Sequence, residues 1–235
     1  MLDPLVRFRD AHSKGLIPDD IRDLTLKRFP IVVDGINRIE KASGIQYPVA
    51  YVEPSLVFSP DANSFDAGIL YARTIPFMFE EKFQVAIQIT APLVAYGLRG
   101  TIHAMLAHEF LHYLEIVRKI SKMELISDEI SGNLFENIYS DQTRLFEPKA
   151  VFKDRALLDH ITKKIPAGLR DKKLDAKTTK FWADRNLPNS NISLDSNNVK
   201  LSVESLSKIK FDSKFISKIE QLEEKSSKIK KKILY

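Results

Sequence analysis

Between Thr101 and Ile120 the chain reads TIHAMLAHEFLHYLEIVRKI, and within it stand His108, Glu109, Phe110, Leu111 and His112. A helix turns about 100° per residue, so two histidines four apart lie one turn apart on the same face, with rings that can converge on one ion. The flanking Ile102, Met105, Leu106, Leu111, Leu114 and Val117 make this helix mostly apolar. It must therefore be buried, and buried imidazoles need partners. The chain holds five His and fourteen Glu in 235 residues, which gives a chance H-E-x-x-H about 0.006 times. The pattern therefore points to a metal site rather than to a coincidence on an amphipathic helix.

The residue types suit the chemistry. Neutral imidazole is a good ligand for zinc, and a catalytic zinc keeps three protein ligands plus a water whose pKa falls towards neutrality. Glu109 follows the first histidine directly, where it can lean over the metal and take a proton from that water.

His108-Glu109-x-x-His112 resembles the signature of the HExxH zinc metallopeptidases. The resemblance implies that His108 and His112 bind Zn2+ and that Glu109 is the general base, later giving its proton to the leaving amine. The subfamily with a third histidine six residues on is not matched, because Arg118 stands there. A downstream glutamate is the other common ligand. The run Ser127 to Phe135 looks like the glutamate helix of gluzincins, with Glu129 seventeen residues after His112 as the metal ligand. Asn133, four further on, then corresponds to the residue that orients a zinc histidine and would accept the ring N–H of His108. More narrowly, Glu-x-x-Gly-Asn-x-Phe is similar to the Glu-x-x-Ala-Asn-x-Phe run of small cytosolic metallopeptidases that cut repressors. Glu136, two turns beyond Glu129 on nearly the same face, is the alternative ligand, with Glu124 behind both.

Zero cysteines exclude disulfides and cysteine zinc ribbons, which leaves the histidine pair as the metal candidate. The N-terminus carries acids and no apolar segment of a secretory kind, and no run is long enough to span a membrane, so a soluble cytoplasmic protein is expected. Residues 200 to 235 hold ten Lys against five acids, while the remainder is neutral; the net charge of +5 belongs to the tail. Acids interrupt those lysines and no RNA-binding pattern accompanies them, so nucleic acid is not the expected partner.

Upstream of the motif, a helix from about Ile21 to Arg28 and a second opened by Pro30 and ended by Gly44 are expected. Three or four strands follow, in Tyr47–Glu53, Ala67–Arg73 and Phe83–Thr90. The last has the position of the edge strand of the zincin fold, which would make Gln84, Ala86 and Gln88 substrate-binding residues through strand addition. His103 is turned about 140° from the ligand face and is expected at the helix start or in a substrate cleft. His160, Tyr139 and Tyr113 are candidate oxyanion donors. His12 is expected at the surface.

The fold expected is α+β and zincin-like, with N-terminal helices, a small mixed sheet, an active-site helix, a glutamate helix and a helical C-terminal region. Residues 1–187 would form the peptidase domain, 188–198 a polar linker, and 199–235 a basic amphipathic tail that docks as a lid or brace. The function expected is zinc-dependent peptide hydrolysis. The alternative is a non-catalytic zinc protein that regulates or interacts through its basic tail.

Overall fold

The computed structural model describes residues 3–58, 69–80, 82–122, 145–164, 171–191 and 209–233. Within them the chain is mixed α+β. Helix α1 (Val6–Ser13) buries Phe8 and Ala11, and α2 (Asp19–Ser43) follows as one continuous helix of 25 residues. The break expected ahead of Pro30 is absent, and Pro30 lies inside the helix. An interior proline removes one backbone bond and costs on the order of 3 kcal/mol. Burial of Ile21, Val32, Ile39 and Ala42 opposes that cost, and Arg28, just ahead of the proline, donates to the carbonyls of Val94 and Gly97. The helix ends where the sequence predicts, on Gly44 at φ 66°, a left-handed position that suits glycine.

Two three-stranded sheets come next. In the first, β1 (Val49–Glu53) lies parallel to β5 (Lys82–Thr90), and β4 (Ala72–Phe79) lies antiparallel on the other side of β5. In the second, β2 (Leu56–Phe58) pairs with β3 (Ile69–Leu70) and with β6 (Asn189–Asn191). The order β1-β5-β4 corrects the expectation for Phe83–Thr90, because that strand is the middle one. Its alternation reflects two covered faces of different polarity, not a free ladder. Among the described strands β4 takes the edge position, and it contains Pro76, which edge strands tolerate. At the opposite edge, the Val52 amide of β1 donates to the carbonyl of Pro4 at 2.8 Å.

From β5 the chain enters α3 (Ala91–Tyr96) and then α4 (Arg99–Ser121), the helix carrying the histidine pair. All but five of the 23 residues of α4 are buried, as an almost all-round apolar sequence requires. It packs against α2, β4, α6 (Arg155–Lys164) and α8 (Ser213–Ile233). The crossing with α2 is close at Gly35, where a Cβ would stand 2.8 Å from both His103 Cδ2 and Leu106 Cδ1.

The short α5 (Pro148–Val151) precedes α6, which Asp154 caps by accepting the Leu157 amide at 2.9 Å. Helix α7 (Lys172–Thr178) runs into a π-helical turn, Thr179–Ala183, that buries Trp182 with its indole N–H on the Pro188 carbonyl. The segment expected as a linker opens with β6, whose Asn189, Ser190 and Asn191 are exposed and held through backbone pairing with β2. Helix α8 lays its apolar stripe on the body: Ile219 and Leu222 join the core, and Arg118 of α4 makes a two-pronged pair with Glu223 at 2.5 and 2.8 Å. The expected docking of this helix is what the structure has. No helix among the described residues is long and apolar enough to cross a membrane.

Candidate metal and catalytic centre

His108 and His112 project from one face of α4, and their Nε2 atoms approach to 2.9 Å with the rings edge to face, 4.4 Å between centroids. Ligands at zinc's usual 2.0–2.1 Å in a tetrahedral arrangement stand about 3.3 Å apart, so the observed spacing is a few tenths of an ångström from that of a chelating pair. Both side chains are buried. Two neutral rings can share one proton at this distance, and a cation in place of that proton would be held by the same two nitrogens.

The far side of His112 supports the same orientation. Glu115, buried one turn further along α4, places Oε2 3.7 Å from His112 Nδ1, while its Oε1 accepts the Leu145 amide at 2.7 Å. At 3.7 Å the contact is too long for a hydrogen bond, and it is the charge of the carboxylate that favours the proton on Nδ1 and the Nε2 lone pair towards His108. The donor set and its support therefore fit zinc as far as two ligands go. Among the described residues, no group of three or more His, Asp or Glu is gathered as a metal site. Glu129, Glu136 and Glu124, with Asn133 and Tyr139, lie outside the described residues.

Glu109 is also buried. It turns towards β4, where Thr74 Oγ1 stands 2.8 Å from its Oε2 and 2.9 Å from its backbone oxygen. Burial pushes its carboxyl above the usual carboxylate range, against the opposing pull of His112, the Thr74 hydrogen bonds and Arg73. A carboxyl raised in this way is a better proton acceptor than an exposed one. Nearby, the buried Tyr47 hydroxyl donates to the Leu106 carbonyl at 2.8 Å and stacks its ring on Phe110.

The other residues singled out in the sequence are not brought to this point. His103 faces α2, not a cleft: its Nε2 lies 3.2 Å from the Ile31 carbonyl, its Nδ1 3.4 Å from Arg38, and burial lowers its pKa. His160 is exposed on α6 with its ring over Gly100, where a Cβ would meet it at 3.0 Å. Gly100 is eight residues before His108, roughly 12 Å along the helix, so His160 does not face the pair. Tyr113 stacks on Phe215 of α8 at 6.1 Å and packs on Phe110.

In β5, Ala86 and Gln88 are buried and Gln84 is half-buried. The Gln88 amide donates to Tyr51 Oη and Glu53 Oε2, and its oxygen accepts from Arg73. Gln88 thus ties the three strands together, and with β1 and β4 paired on either side β5 has no free ladder to offer a peptide. His12 sits at the surface as expected, beside Asp19 and Arg22.

Two residues of the centre escaped the sequence reading. Glu115 had a signal, since it lies three residues after His112 and so on a neighbouring part of the same face. Thr74 had none, because a strand-to-helix contact across 35 residues leaves no mark on local spacing.

Set against protein-family models, curated proteins and solved structures, the chain matches none of them.

Proposed function

We propose that the chain is a zinc-dependent metallopeptidase, cytoplasmic, in which His108 and His112 hold the ion and Glu109 is the general base. The observation that carries this reading is the 2.9 Å convergence of two buried Nε2 atoms on the helix that also carries a buried, hydrogen-bonded carboxyl. Glu129 is proposed as the third ligand, with Glu136 as its alternative and Asn133 as the partner of His108. A zinc ion held there supplies a Lewis acid that polarises a carbonyl and lowers the pKa of water.

Glu109 takes the proton released as water attacks the scissile carbon and passes it to the leaving amine nitrogen, so the carboxylate is regenerated at the end of the cycle. Thr74 bonds that carboxyl, and burial shields it from bulk water. Among the described strands β4, not β5, lies at the edge of its sheet, and an extended peptide would join it away from Thr74, whose backbone N–H already bonds the Glu109 carboxyl. The zincin fold is proposed on the same grounds: a mixed sheet with an antiparallel edge strand that packs directly on the helix bearing the motif.

Burial favours a second reading. His108, Glu109 and His112 are all below 8% exposed, and closed sites are typical of structural zinc, whereas catalytic zinc keeps an open position. In that reading the metal braces the core and the chain regulates or interacts without cleaving.

A peptide library incubated with the zinc-loaded protein, with and without chelator, separates the two. The peptidase reading expects chelator-sensitive cleavage that Glu109→Gln reduces by roughly 10²–10⁴-fold while zinc stays bound. Zinc retained with no cleavage of any peptide sinks it in favour of the structural site.

A further inference from the structure

We propose that Thr74 is a positioning residue for Glu109, holding the general base from the edge strand of the sheet; this rests on the peptidase reading above. Thr74 is 2% exposed and sits in β4, while Glu109 is 3% exposed on α4. The Thr74 hydroxyl has two acceptors on one residue, Oε2 at 2.8 Å and the backbone oxygen at 2.9 Å.

A hydroxyl has one proton to give and lone pairs with which to accept. The Glu109 carbonyl alone would satisfy a buried threonine, and the carboxylate within bonding distance is a second acceptor that the same hydroxyl can orient. With the carboxylate ionised, donation to Oε2 is the stronger, charge-assisted choice. Once the carboxyl has taken the proton of the attacking water on its other oxygen, Oε2 remains the acceptor of the Thr74 hydroxyl. The carboxyl therefore keeps this bond and its orientation at both stages of proton transfer. Without the hydroxyl, a buried oxygen would lose one of its hydrogen bonds and the Thr74 backbone N–H, which also bonds the carboxyl, would be left to hold it.

The test compares Thr74→Val, which keeps shape and loses the hydroxyl, with Thr74→Ser, which keeps the hydroxyl. Zinc content, thermal midpoint, kcat and KM are measured on a peptide that the wild-type protein cleaves. The valine variant is expected to hold its zinc and keep KM within about twofold while kcat falls roughly 10–100-fold, and the serine variant to stay within about threefold of wild type. If the valine variant does not fold, Thr74→Ala takes its place. Wild-type kcat in the hydroxyl-free variant, a change in KM alone, loss of zinc, or serine as impaired as valine overturns the role. If the wild-type protein cleaves nothing, the peptidase reading itself fails and the role of Thr74 falls with it; normal turnover without the hydroxyl removes only the role.

Discussion

Glu115 lies on the side of His112 away from His108, and there it carries a test independent of catalysis. Replacing Glu115 with Gln removes the charge beside Nδ1 while leaving an amide oxygen for the Leu145 amide. The expected outcome is a roughly 10–100-fold weaker affinity for zinc, read by competition with a chromogenic chelator. Unchanged affinity would mean that the 3.7 Å approach has no bearing on the ring.

A second residue-scale test concerns pH. Arg38 grips both oxygens of Asp154 at 2.6 and 2.7 Å and holds its carboxyl down at about 2, from an ordinary 3.8. A depressed carboxyl stabilises the fold above its unfolded pKa, and that contribution is lost as pH falls through the folded value. The loss therefore belongs between about pH 4 and pH 2. With the side chain a quarter exposed, it amounts to about 1–2 kcal/mol after allowance for solvent screening. Denaturant titrations of wild type and Asp154→Asn across that window check it. The variant should lack that part of the acid dependence, and identical profiles would count against the pair.

At the scale of elements, Gly35 tests the crossing of α2 and α4. Alanine there puts a Cβ 2.8 Å from His103 and Leu106. Helix propensity alone favours alanine by up to about 1 kcal/mol, whereas overpacking costs about 1–3 kcal/mol. Net destabilisation on urea unfolding is expected, and a more stable variant would show that the helices simply move apart.

The same elements show what local sequence can carry. The motif helix was legible because apolar residues and a four-residue histidine spacing coincide on one turn, and the end of α2 because Gly44 marks it. Pro30 misled, since the apolar face on either side of it is buried against α3 and α4 strongly enough to carry the helix through. The rank of β5 within its sheet was not legible, because alternation marks two unlike faces and says nothing of which neighbours fill the ladder. Strand β6 left no signal either; its exposed Asn189, Ser190 and Asn191 read as a turn, and only backbone bonds to β2 make it a strand.

For the whole molecule, α8 is the element that ties distant parts together. Its Glu223 pairs with Arg118, Ser226 accepts the Glu147 amide at 3.0 Å, and Lys218 donates to the Gly44 carbonyl at 3.1 Å. Glu223→Ala is expected to lower stability by about 1–3 kcal/mol, less than for a fully buried pair because Glu223 remains 24% exposed. A thermal midpoint equal to wild type would show that the apolar stripe alone holds the helix.

The central claim is that a buried pair of imidazoles on α4 binds a divalent cation, and elemental analysis of purified protein tests it most directly. Wild type prepared under zinc-replete conditions is expected to carry one zinc per chain, and His108→Ala or His112→Ala to lose it while staying folded. Metal-free wild type, or histidine variants that keep a full equivalent of zinc, would contradict the account.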